Sequence, residues 1–144
     1  MVLKAPDELR HEWDNDPLWR ESWYYNFSDP QNEIGAWLYL WVVPNQPLKS
    51  GMLVCFYHGV ATDFDSTEAA WKSPGHLLRG ANDSWVYCYK RDVAELMAED
   101  LDDATLCGLS MKRLEPLKRY RLAFDDGANA HFDFDCQFMT MPWD

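Results

Sequence analysis

The sequence predicts an all-β protein, either an antiparallel barrel or a strongly curved sheet of about eight strands. Aromatic residues make up 15% of the 144 residues, and aromatic side chains pack well on pleated sheets. Short apolar or alternating stretches recur at fairly even spacing between turns rich in Pro, Gly, Asn and Asp. No segment predicts a long helix. Sequential strands joined by short turns are typical of barrels and curved sheets.

The elements follow in order along the chain. Residues 1–20 predict an irregular N-terminal arm, in which Trp13 and Trp19 dock onto the single domain formed by residues 21–144. Loops are expected at 73–84, where Gly and Pro recur, and at 93–103, where three Asp interrupt a helix-like composition. The predicted strands are 21–27, 34–43, 52–58, 84–90, 105–114, 118–124 and 130–139, with 60–65 as a short strand or bulged continuation.

The charge of the chain excludes several classes of partner. The formal net charge is -11, and nucleic-acid binding needs clustered Lys and Arg instead. The same charge argues against adhesion to anionic membranes, and no run of about 18 apolar residues predicts a membrane span. The start, MVLKAPDELR, has no apolar signal-peptide core. We therefore predict no nucleic-acid partner, no membrane span and a cytoplasmic location.

The four cysteines predict free thiols, not a metal or redox motif. Cys55, Cys88, Cys107 and Cys136 form no CxxC pair, and the first two have apolar or aromatic neighbours. Free, buried thiols agree with a reducing cytoplasm. His58 with Asp63 and Asp65 matches no known metal motif, and no Gly-rich phosphate loop or G-x-S-x-G elbow occurs. We predict no metal and no cofactor.

The order of motifs resembles a known family. ESWYYNFSDP is followed by IGAWLYLWVVPNQ, then RLEPLKRYRLAFDDG and the alternating FDFDCQFMTMP. This order is similar to the amino-terminal half of the hydroxyneurosporene synthase-like proteins, also called carotenoid 1,2-hydratase-like or AttH-like. The resemblance covers roughly residues 19–142 and implies a lipocalin-like, calycin-type barrel. It also implies a second lipocalin-like domain as a partner.

The resemblance further implies an isoprenoid-like or polyene ligand and, in an enzyme, hydration, cyclisation or isomerisation by acid catalysis. Such a reaction needs a carboxylic acid kept neutral in an apolar pocket, with aromatic faces that stabilise a carbocation. A second carboxylate or a His would orient the attacking water. An aromatic-lined pocket that contains one or two carboxyl groups is therefore the pattern to find.

Three places offer such carboxyl groups, each with a plainer alternative. Glu21 shares a strand face with Trp23, Tyr25 and Phe27, or else it pairs with an Arg such as Arg20 or Arg121. Asp65 lies with Asp63 and Glu68 beside Phe64 and Trp71, or else this segment is a solvated loop. His131, Asp133 and Asp135 share one face of the last strand, which is otherwise the wet face. The candidate catalytic residues are Glu21, Asp65, His131 and Asp133.

Aromatic side chains supply the candidate ligand-binding wall. Trp37, Tyr39 and Trp41 alternate on one face of the second predicted strand and either line a pocket or pack in the core. Trp23 and Tyr25 are expected to face the barrel interior, with Tyr24 packed outside. The full predicted set is Trp23, Tyr25, Trp37, Tyr39, Trp41, Tyr57 and Trp85.

Two classes of function follow from these predictions. The first is a lipocalin-like barrel that binds an apolar small molecule, with or without acid catalysis on it. The second is a non-catalytic interaction domain that packs on a homologous domain or homodimerises through exposed aromatic side chains. A carboxyl group inside an aromatic pocket would indicate the enzyme, and a flat apolar patch over a filled core would indicate the interaction domain.

Overall fold

The computed structural model describes residues 4–8, 10–59, 76–93, 96 and 102–137. Apart from the 3₁₀ helix Ala5–Glu8, the regular structure in these ranges consists of nine strands. They are β1 (Glu21–Asp29), β2 (Ile34–Val42), β3 (Ser50–His58), β4 (His76–Arg79), β5 (Trp85–Arg91), β6 (Asp103–Leu106), β7 (Leu109–Glu115), β8 (Arg119–Asp125) and β9 (His131–Gln137).

The nine strands form two antiparallel sheets. Sheet A has the order β1-β2-β3-β5-β4, and sheet B has the order β6-β7-β8-β9. The predicted all-β, antiparallel class is confirmed. The described strands form these two sheets and do not close into one barrel. The chain divides into two compact units, Asp16–Ala94 with sheet A, and Met1–Asn15 together with Glu95–Asp144, which contains sheet B.

Two short strands differ from the sequence-based prediction. His76–Arg79 was expected to be loop, but it forms β4 and pairs with β5. Residues 105–114 were expected to form one strand, but the chain turns at Cys107 and Gly108, which have φ values of 50° and 85°. Two consecutive residues with positive φ make the tight turn that joins antiparallel neighbours, so β6 and β7 form a hairpin.

The hairpin between β1 and β2 sets the register of sheet A. The Asp29 carboxylate accepts hydrogen bonds from the backbone N–H groups of Gln31 and Asn32 at 3.0 and 3.3 Å. Hydrogen bonds from the side chain and backbone of Asn32 lower the pKa of Asp29. This Asx-type turn closes a pairing that runs without interruption from Asp29–Ile34 to Glu21–Val42.

Both sheets contain well-buried apolar side chains, and the centre of sheet A is buried on both faces. In sheet A, a set of apolar side chains on β2 and β3 is at most 3% exposed: Leu38, Leu40, Val42, Met52 and Val54. In sheet B, Leu109, Met111, Leu122 and Phe124 are at most 2% exposed. β9 alternates as predicted, with Phe132, Phe134 and Cys136 half-buried and with His131, Asp133, Asp135 and Gln137 exposed. Among the described residues, no helix is long and apolar enough to cross a membrane.

Candidate functional site

The register of sheet A separates its aromatic side chains into two sets. Residues directly opposite one another on antiparallel strands point to the same face of the sheet. Tyr24 is opposite Tyr39, and Tyr39 is opposite Leu53. We call this side of sheet A the aromatic face, and it carries Tyr24, Trp37, Tyr39, Trp41 and Tyr57. We call the other side the core face, and it carries the buried residues Leu38, Leu40, Val42, Met52 and Val54.

A groove lies on the aromatic face. Its volume is about 240 Å³. Four side chains from three adjacent strands line it: Tyr24, Trp37, Tyr39 and Leu53. Leu53 is 3% exposed and Tyr24 is 56% exposed, so the groove runs from the buried sheet to an open rim. Its volume is below the roughly 300–1,000 Å³ of pockets for drug-sized ligands. The groove therefore fits a small molecule or the apolar end of a larger one.

The rings around the groove hold one another in place. The Tyr24 and Tyr39 rings meet edge to face, with centroids 6.3 Å apart. Tyr39 stacks on Trp41, with centroids 5.3 Å apart and an interplanar angle of 24°. Such pairs contribute about 0.5–1.5 kcal/mol each beyond the area that they bury. The rings are thus arranged before any ligand arrives.

Two glycines make room for rings that lie against the sheet. A Cβ at Gly51 would be 2.0 Å from Cζ2 of Trp41, the residue opposite it on β2. A Cβ at Gly35 would be 2.0 Å from Cζ of Tyr57, which is opposite it on β3. Because glycine has no Cβ, both rings can approach the backbone closely. Trp41 and Tyr57 therefore form a low aromatic floor on either side of the groove.

An arginine lies at the rim of the groove. The Arg20 guanidinium lies over the Tyr39 ring, 5.7 Å from its centroid, and donates a hydrogen bond to the Tyr39 hydroxyl. Arg20 directly precedes β1 and is exposed. This combination of a cation–π contact and a hydrogen bond fixes the position of a positive charge beside the apolar groove.

Two cysteines lie next to Trp37 on the same sheet face. Cys55 is opposite Trp37 on β2 and opposite Cys88 on β5, and the two sulfur atoms are 3.0 Å apart. Contact with the Cys88 thiol and burial raise the pKa of Cys55. All four cysteines are free thiols; Cys55 and Cys88 are buried, and Cys107 and Cys136 are half-buried.

The predicted ligand-binding residues divide between the two faces of sheet A. Trp37 and Tyr39 line the groove, and Trp41 and Tyr57 flank it. The other three predicted residues, Trp23, Tyr25 and Trp85, lie on the core face, where they are half-buried. Trp23 is opposite Leu40, Tyr25 is opposite Leu38, and Trp85 stacks on His58 at 6.0 Å. The sheet therefore separates the seven residues into a groove set and a core set.

The predicted catalytic residues occupy different parts of the chain. Glu21 is half-buried at the start of β1 and shares the core face with Trp23 and Tyr25. Asp65, with Asp63 and Glu68, lies outside the described residues. His131 and Asp133 are on the exposed face of β9 in sheet B, which belongs to the other compact unit. Glu21 therefore lies on the opposite face of sheet A from the groove.

Asp133 and Asp135 are held as carboxylates by arginines on the adjacent strand. Arg121 Nε donates to Asp133 at 3.0 Å, and Arg119 Nε donates to Asp135 at 2.8 Å, each with a second hydrogen bond from the same guanidinium. The hydrogen bonds from Arg121 and Arg119 lower the pKa of Asp133 and Asp135, respectively. A lowered pKa favours the charged form, so Asp133 is poorly suited to protonate an alkene. Arg20 and Arg121 were the partners expected for Glu21 in the plainer alternative. In the structure, Arg121 pairs with Asp133, and Arg20 donates a hydrogen bond to Tyr39.

Tyr24 and Leu53 are groove residues that the sequence-based prediction did not include. The sequence predicts that Tyr24 packs outside a barrel, and it places Leu53 only within the predicted strand 52–58. The signal was present in the hairpin: counting outward from the turn after Asp29 brings Tyr24 opposite Tyr39. Among the described residues, no group of His, Cys, Asp and Glu is arranged to hold a metal ion.

Comparison with known proteins gives the family of the chain. The model of the family described as "Domain of unknown function (DUF7064)" matches residues 4–144, and the chain belongs to this family. No curated protein and no solved structure shows a significant match to the chain.

Proposed function

We propose that this member of a family without an assigned function binds an apolar small molecule in the groove lined by Tyr24, Trp37, Tyr39 and Leu53. The observation that carries the proposal is the convergence of three rings and a leucine, from three strands, on one small apolar groove. Such a groove offers a ligand aromatic faces and a mainly apolar surface. This is the usual character of small-molecule sites.

We further propose an isoprenoid, a polyene or a similarly flat apolar molecule as the natural ligand. A flat molecule gains most from rings that are already arranged, since binding then orders few side chains. The resemblance to the hydroxyneurosporene synthase-like proteins supports the same ligand class. The groove holds only part of a long polyene, so the rest of such a ligand would extend beyond the described lining.

Binding without catalysis is the version that the positions of the acids favour. Glu21 lies on the core face, and Asp133 forms a bidentate pair with Arg121 in sheet B. A hydratase, cyclase or isomerase would need its proton donor elsewhere, and Asp65 is the predicted acid that lies outside the described residues. The interaction-domain alternative remains a prediction, and a dimer in native mass spectrometry would support it.

Replacement of Tyr24 tests the groove directly. The probe is 2-naphthalenemethanol, whose roughly 12 non-hydrogen atoms at about 0.3 kcal/mol each predict a Kd of about 2 mM. We expect Tyr24→Ala to weaken binding about tenfold, because it removes one wall of the groove and its edge contact with Tyr39. Isothermal titration calorimetry measures both affinities.

The matched control is Phe27→Ala. Phe27 is also an exposed aromatic residue of β1, at 38%, but it lies on the core face. Its replacement is expected to leave the affinity within about twofold of the wild type. Equal losses in both variants would contradict the assignment of the groove, and so would an absence of binding to the wild type.

A further inference from the structure

We infer that the ligand of the groove carries a carboxylate at one end of its apolar body. This inference rests on the proposed function and adds a chemical class to it. Three observations carry it: the absence of acidic residues on the described strands of the aromatic face, the position of Arg20 at the rim, and the position of Lys90 beside Leu53.

The aromatic face has a charge that contrasts with the whole chain. The sequence contains 24 Asp and Glu against 13 Lys and Arg. On the described strands of sheet A, the register places no Asp or Glu on the aromatic face, whereas Glu21 and Asp29 of β1 are both on the core face. An anion at the groove therefore meets no adjacent carboxylate from these strands, despite the negative charge of the protein.

Arg20 offers a positioned donor at this rim. Its guanidinium is oriented by Tyr39, one of the groove residues, as described above. The ion pairs between described residues use other cations: Lys112, Arg113, Lys118, Arg119 and Arg121. A guanidinium presents several N–H donors in a fixed plane, so those not directed at the Tyr39 hydroxyl can bind a carboxylate.

Lys90 supplies a second positive charge on the same face. It is directly opposite Leu53, which forms the buried end of the groove, and its side chain is exposed. Residues opposite one another on antiparallel strands have Cβ atoms about 5 Å apart, so the Lys90 stem begins beside the groove. Arg20 at Tyr39 and Lys90 opposite Leu53 thus place two positive charges beside the apolar groove. This arrangement complements an amphiphile with a single negative charge.

The test compares a carboxylate with an uncharged analogue of the same shape. Calorimetry measures the affinities of 2-naphthoate and 2-naphthalenemethanol in low salt. We expect 2-naphthoate to bind about fivefold more tightly, because two exposed positive charges beside the groove attract its carboxylate. We also expect this preference to fall as salt is added, because salt screens a local attraction. If repulsion by the net charge of -11 dominated, salt would instead strengthen the binding of 2-naphthoate.

Two variants and a control test which positive charges produce the preference for 2-naphthoate. Arg20→Gln and Lys90→Gln should each reduce the preference for 2-naphthoate by about twofold and leave binding of the alcohol nearly unchanged. Arg79→Gln is the matched control, because Arg79 is exposed on the same sheet but lies on the core face, opposite Trp85. It should retain the full preference.

Each outcome decides a separate point. Equal affinities for the two probes, or a preference that survives in both Arg20→Gln and Lys90→Gln, would overturn the inference of a carboxylate and leave the groove in place. Failure of both probes to bind the wild-type protein would overturn the proposed function itself.

Discussion

At the scale of single residues, the groove depends as much on missing side chains as on present ones. Trp41 and Tyr57 lie low on the sheet because Gly51 and Gly35 are opposite them. The sequence reveals the alternation of Trp37, Tyr39 and Trp41, but it does not show which glycine lies under which ring. That assignment requires the register between strands.

Gly51→Ala tests this dependence. The new methyl group would be 2.0 Å from the Trp41 ring, so the ring must move away from the sheet. We expect a loss of about 1–3 kcal/mol in the free energy of unfolding, as in other overpacked sites. Urea unfolding measures this loss, and near-ultraviolet circular dichroism detects the displaced ring.

Ser22→Ala is the control for this substitution. Ser22 is exposed and lies opposite Trp41 on β1, so its replacement changes the same row of the sheet without a steric clash. Its free energy of unfolding should stay within about 0.5 kcal/mol of the wild type. A Gly51→Ala protein as stable as the control, with an unchanged dichroism spectrum, would show that the ring does not lie where the structure places it.

At the scale of elements, strands with a clear period of two are predictable from the sequence. β1 and β9 show this, since the residues of each strand alternate between two faces as the sequence predicts. The four-residue strand β4 is too short to show a period. The β6–β7 turn places Cys107 at positive φ. Cys is not a residue type that favours such turns, so the sequence does not indicate this turn.

The candidate site was predictable only one strand at a time. The sequence places Glu21, Trp23 and Tyr25 on one face of β1, and Trp37, Tyr39 and Trp41 on one face of β2, and both sets are observed. The prediction joined the two sets into one pocket, although the hairpin directs them to opposite sides of sheet A. A shift of one residue in register exchanges the faces, so side-chain patterns within single strands cannot decide this point.

The ion pairs between β8 and β9 predict a pH dependence of stability. Arg121 lowers the pKa of Asp133 in the folded protein, so the unfolded chain binds the proton more readily. The pair therefore stabilises the fold at pH values above the ordinary Asp pKa of 3.8, and the contribution is lost as the pH falls below it. The effect is small because both side chains are at least half exposed.

Asp133→Asn and Arg121→Gln measure this contribution. Each variant should be less stable than the wild type at pH 7, and the difference should vanish towards pH 2.5 in urea unfolding followed by circular dichroism. The two variants remove the same pair, so their pH profiles should agree. A difference that persists or grows on acidification would show that Asp133 is not held as a carboxylate by Arg121.

At the scale of the whole molecule, the acidic composition of the chain contrasts with the composition of the aromatic face of sheet A. The net charge of -11 disfavours polyanionic partners. The aromatic face of sheet A departs from this acidic composition, because the described strand positions on that face include no carboxylate. A local site of this kind can bind an apolar or weakly anionic molecule that the average surface would not attract.

The eight tryptophans make the location of a ligand measurable across the molecule. Each indole N–H gives one signal in a ¹H–¹⁵N correlation spectrum, and substitution of single tryptophans by Phe assigns these signals. Trp37 lines the groove, whereas Trp23 and Trp85 lie on the core face of the same sheet. The three residues therefore distinguish the two faces within one experiment.

The measurement that tests the groove most directly is a titration of the ¹⁵N-labelled protein with 2-naphthalenemethanol. Binding in the groove predicts a saturable shift of the Trp37 indole signal, a smaller shift of the neighbouring Trp41 signal, and little change for Trp23 and Trp85. Saturable shifts of Trp23 or Trp85 with Trp37 unchanged would place the ligand on the other face of sheet A and contradict the proposed site. Spectra that show no saturable shift would contradict ligand binding altogether.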